Sequence, residues 1–134
     1  MGRSVPVMAA LLLILALGTL GCSSVAAGER VTIRIHYSSF DPQQVTVPVG
    51  VPVTFVLVND DPINHEWIVG DAAVHVRHRT GTEPHHGARP TEVSIPALTT
   101  LETTVTFPER GIFAYICHLP GHEAYGMTGI VTVG

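Results

Sequence analysis

The chain has 134 residues with seven arginines, no lysine and eleven acidic residues, for a formal net charge of −4. That balance offers no basic footprint for nucleic acid, and the length leaves room for one domain once an N-terminal targeting segment is set aside. Few aromatics beside many Val, Thr, Pro and Gly favour strands, so helix is expected to be scarce.

Arg3 precedes an apolar run from Val5 to Leu20. Its length suits a signal-peptide core and is short for a membrane span. Residues 1–21 are therefore read as a signal peptide. Gly18 to Ser24 resembles a bacterial lipoprotein processing site with small Gly21 before Cys22, which predicts lipidation of Cys22 and a lipidated tether over 22–30. Cleavage after Ala27 and retention as an uncleaved anchor are the alternatives. All three imply export, to the outer face of the cytoplasmic membrane or the periplasm, with a lipid anchor as the membrane contact.

The remainder, 31–134, reads as strands. Val31 to Tyr37 alternates Val and Ile with Thr, Arg34 and His36, the period of a half-buried strand. Phe40 to Gln44 is a turn, Val45 to Gly50 an irregular or edge strand because of its prolines, and Val51 to Val58 a longer strand. Asn59 to Asn64 turns into a strand over His65 to Gly70. Asp71 to Pro90 breaks the pattern with His75, His78, His85 and His86. It is read as a solvated loop or a short helix across the domain, the sharper alternative being an auxiliary copper or zinc site. Thr91 to Ile95, Leu101 to Phe107, Gly111 to Ile116 and Thr128 to Val133 complete seven or eight short strands, as an all-β sandwich needs.

Cys117, His122 and Met127 recur at equal five-residue steps. Five residues turn a helix by about 140° and reverse the face of a strand, so neither element aims all three one way. They belong to a loop, with Pro120, Gly121 and Gly126 supplying its turns. Met1 and Met8 lie in the leader, which makes Met127 the only methionine of the mature chain. A thiolate and a thioether beside imidazole suit copper better than calcium, magnesium or manganese, and two His, one Cys and a weak axial Met form the blue-copper set. His65, at the mouth of its strand, is the best-placed second histidine. With Cys22 lipidated and Cys117 on a metal, no disulfide can form.

On His65, Cys117, His122 and Met127, with strands on both sides of the loop, the chain resembles the cupredoxins, especially longer-loop members such as sulfocyanin and rusticyanin. The resemblance implies a Greek-key β-sandwich and one type 1 copper. In that centre Cys117 would dominate electronic coupling, His65 and His122 would complete the trigonal plane, and Met127 would tune the potential. The implied function is single-electron transfer by a monomer, without an enzymatic reaction, to a redox partner docking on the apolar surface of Leu119, Pro120, Ala124 and Tyr125 around His122. In many members a polar residue after the first histidine braces the cysteine loop. Here Asn64 precedes it and Glu66 follows it, and both are candidates for that part. Copper storage or delivery through the His-rich segment is the second reading. A copper enzyme subunit is the third, because His118 follows Cys117 as in copper nitrite reductases and multicopper oxidases, although one short domain lacks the other domains of those enzymes.

Overall fold

The computed structural model describes residues 1–2, 28–81, 86 and 88–134. The processing signals at Cys22 and Ala27, and His85, lie outside the described residues. Within them the chain forms two sheets and one helix. The first sheet runs β2 (Ser39–Asp41), β1 (Glu29–His36), β4 (Pro52–Asn59), β7 (Thr100–Thr106). The second runs β3 (Gln44–Val47), β9 (Thr128–Val133), β8 (Gly111–Ile116), β5 (His65–Gly70), β6 (Glu92–Ile95). Two pairings are parallel, β1 with β4 and β3 with β9, and the others antiparallel.

Alternating side chains build the core. Val53, Phe55 and Leu57 of β4 and Ile33 and Ile35 of β1 point inward, while their neighbours face out. Opposite them stand Trp67, Tyr115, Val131 and Val133. Phe55 lies 4.8 Å from Trp67, and Phe40 meets Tyr115 edge-on at 5.2 Å. Each such fully buried side chain contributes roughly 1.5–3 kcal/mol. Phe40 belongs to β2, a three-residue strand where the sequence predicts only a turn.

β5 does not alternate: His65 through Val69 are all buried. The reason is α1 (Ala72–Thr80), which contacts β5. Asp71 caps it by accepting the Val74 N–H at 3.0 Å, which satisfies one of the orphan donors at a helix start. Gly70 permits the close approach, because a Cβ there would overlap the Val74 side chain. Of the two forms expected for this segment the helix is the one adopted, and it is not wholly solvated: His75 is buried.

Candidate metal centre

β8 ends at Ile116, paired with Thr128 at the start of β9, so residues 117–127 form a closed loop between two adjacent strands. The Cys117 N–H donates to the Met127 carbonyl at 3.2 Å, and the Met127 N–H to the His122 carbonyl at 3.0 Å. Further bonds run from His122 to the Leu119 carbonyl, Tyr125 to Gly121 and Gly126 to Glu123. Gly121 and Gly126 have φ of 84° and 93°, left-handed values that glycine adopts without penalty. The loop thus folds back on itself, placing Cys117 beside Met127. Both are buried within one hydrophobic cluster.

β5 delivers His65 to the same place. Its Nδ1 lies 3.2 Å from His122 Nδ1, which lies 3.3 Å from Cys117 Sγ. One ligand atom from each of the three falls within 4.8 Å of the others. Donors bound about 2.0–2.3 Å from one ion stand on the order of 3.3–3.8 Å apart, so the set fits a cation with little movement. Asp61 Oδ2 is 2.8 Å from His65 Nε2. Burial pushes the Asp61 carboxyl up, but the Ser38 and Tyr37 N–H groups and His65 outweigh it and hold it below its ordinary value. As a carboxylate it can only accept, so His65 carries its proton on Nε2 and turns the Nδ1 lone pair toward His122 and Cys117.

Burial raises the Cys117 thiol to about 11, against the Leu119 and Glu66 N–H groups. The Glu66 N–H donates to Sγ at 3.3 Å. A bound cation inverts that balance and deprotonates a coordinating thiol. Burial also lowers His122, with His65 adding to the effect, so its imidazole is neutral and able to ligate. The donors are therefore those that copper prefers.

The other predicted residues are placed as follows. Asn64 Oδ1 accepts the Ala97 N–H, bracing the β6–β7 turn. Glu66 meets the cysteine through its backbone, while its carboxylate faces His86 at 3.6 Å. His118 turns toward the helix, with Nε2 3.0 Å from His75 Nδ1, and burial lowers it to about 4. His78 and His86 gather with Glu92. Three contributors escaped the sequence reading. Asp61 orients His65, Asn59 donates to the carbonyls of Ile63, Ile95 and Pro96 and so fixes the turn before it, and Glu92 joins the histidines. Asp61 had one signal, an acid four residues before the histidine, hidden in a segment that reads as an ordinary turn.

A family model of copper-binding proteins, the plastocyanin/azurin family, matches residues 27–134. The copper-resistant cuproprotein CopI of Rubrivivax gelatinosus is 33% identical over 114 residues, covering 81% of this chain and 69% of that protein. The protein of the same name from Pseudomonas aeruginosa is 29% identical over 139 residues, covering 80% and 77%. Among solved structures, dithionite-reduced auracyanin of Roseiflexus castenholzii aligns with a TM-score of 0.67 at 23% identity, over 81% of this chain and 98% of that one. This last likeness concerns the fold.

Proposed function

Because the chain belongs to the plastocyanin/azurin family of copper-binding proteins, we propose that His65 Nδ1, His122 Nδ1 and Cys117 Sγ would hold one copper ion, with the nearby Met127 as a further, weak donor, for single-electron exchange with a docked redox partner. The convergence of the three ligand atoms at one buried point carries this reading. Copper supplies the one-electron couple. The protein supplies rigidity and dryness: loop bonds and the β8–β9 ladder hold Cys117, His122 and Met127, and Asp61 holds His65. His65, Cys117 and Met127 are buried, whereas His122 is half-exposed and offers the way out.

The surface at that end supports docking. Tyr37, Ile63, Leu98 and Tyr125 are exposed there, on the turns that follow β1, β4, β6 and β8. They form an apolar rim of the kind that transient partners cover. Export is part of the reading, on the strength of Arg3, the apolar run and Cys22. Among the described residues no helix is long and apolar enough to cross a membrane.

A second reading is copper resistance, favoured by the names of the two relatives. Here the same centre would serve to hold or hand on copper rather than to carry current. Copper-loaded protein is expected to show an intense visible thiolate-to-copper band and a reversible one-electron couple, both lost in Cys117→Ser. If that variant kept both, the thiolate assignment would be wrong. A host deleted for the chain that loses copper tolerance while its electron flux is unchanged would move the function to the second reading.

A further inference from the structure

A second group of ligand atoms lies between α1 and β6. His78, His86 and Glu92 each bring one within 4.8 Å of the others. His78 Nε2 is 3.7 Å and His86 Nδ1 3.9 Å from Glu92 Oε2. The side chains are 5%, 5% and 8% exposed. These separations are too long for hydrogen bonds. They approach the roughly 3.3–3.6 Å between two donors bound about 2.0–2.1 Å from one ion.

The opposite side of each ligand is engaged in a way that aims it. His78 Nδ1 lies 2.8 Å from the Val74 carbonyl, which can only accept, so Nδ1 carries the proton and Nε2 keeps its lone pair. His86 Nε2 faces Glu66 Oε1, leaving Nδ1 toward Glu92. Arg77 and Arg89 both donate to Glu92 Oε1. Oε2 is thus the oxygen turned to the imidazoles. Ligands whose outer atoms are held, as those of His78 and Glu92 are by a carbonyl and by guanidinium groups, are the usual construction of a metal site.

A plain ion pair accounts for Oε1 and the two arginines. A shared metal ion would also account for the two imidazoles that turn a nitrogen toward Oε2, at 3.7 and 3.9 Å. The positive charge of Arg77 and Arg89 works against a cation, but their side chains are at least half exposed and screened by water. The carboxylates of Glu66 and Glu92 are buried beside the site.

We propose that His78, His86 and Glu92 form a second metal site, taking a divalent late transition-metal ion, Cu(II) or Zn(II). Imidazole suits both ions, and copper heads the affinity order for such donors. The site adjoins the first by two routes. Glu66 touches Cys117 Sγ through its N–H and faces His86 through its carboxylate. His118, next to Cys117 in the chain, stacks on His78 with ring centroids 5.5 Å apart.

The test uses full-length, copper-loaded protein exposed to excess Zn(II) and passed over a chelating resin. One zinc per chain is expected to remain beside one copper, with the visible band intact. His78→Gln and His86→Gln should each weaken zinc binding by about tenfold or more, again with the band intact, which also shows that they fold. In a parallel arm a second equivalent of Cu(II) should give a nitrogen-coordinated paramagnetic signal without strengthening the thiolate band. Wild-type protein that retains neither ion beyond the first copper overturns the proposal, as does retention undiminished in both variants. Protein that never shows the visible band yet keeps zinc through His78 would refute the thiolate centre and leave this site standing.

Discussion

Asp61 governs how His65 behaves as a ligand. Its carboxylate accepts a hydrogen bond from the Nε2–H at 2.8 Å, and a carboxylate behind an imidazole raises the basicity of the other nitrogen and orients the ring. Asp61→Asn replaces an anionic acceptor with a neutral one, which weakens His65 as a donor to the more electron-poor Cu(II). The copper potential should therefore rise and Cu(II) affinity fall by about 10–100-fold. Voltammetry with competitive chelation measures both, and an unchanged potential would reduce Asp61 to a brace for the Tyr37 and Ser38 amides. Met127→Leu should also raise the potential, since it removes a weak donor to Cu(II); an unaltered spectrum and potential would make Met127 a packing residue. The two cases also show what a sequence makes legible. Cys117, His122 and Met127 announce themselves because ligand types share one short loop. The direction of the Asp61 carboxylate depends on how β4 and β5 bring its turn against His65, and no local pattern encodes that.

At the scale of elements, periodicity located β4, β5, β8 and β9 to within a residue, because alternation records which face is buried. It failed at α1, whose apolar residues make no stripe and whose buried residue is a histidine. It also could not yield the parallel pairings of β1 with β4 and β3 with β9, which join segments with other strands between them. β9 carries a sharper constraint. Gly129 stands opposite Tyr115, and a Cβ there would overlap the Tyr115 ring, whose hydroxyl donates to the Pro42 carbonyl. Gly129→Ala must push that ring out of place and strain the hydrogen bond, so a loss of about 1–3 kcal/mol is expected for the metal-free protein. Denaturant unfolding reads it. A midpoint equal to that of the wild type would mean that the ring swings aside freely.

Across the whole molecule, the ligands come from the start of β5 and from the loop that joins β8 to β9, while Asp61 ties the centre to the β1–β2 turn through Tyr37 and Ser38. The ligand-bearing segments are held by backbone hydrogen bonds and a hydrophobic core that involve no metal. The metal-free domain should therefore remain folded, with native near-ultraviolet dichroism. Copper then stabilises it by mass action, because the unfolded chain does not hold these ligands together: about 2.7 kcal/mol with free copper at a hundred times its dissociation constant. For a domain of this size each kcal/mol moves the melting midpoint by about 4–8 °C, so calorimetry should find copper-loaded protein melting roughly 10–20 °C above metal-free protein. Cys117→Ser should lose most of that increment, because it removes the thiolate on which the copper preference rests. Equal midpoints with and without copper would mean that folded and unfolded chains bind it alike, and a metal-free chain lacking tertiary dichroism would mean that the loop is organised by the metal rather than by the strands that flank it.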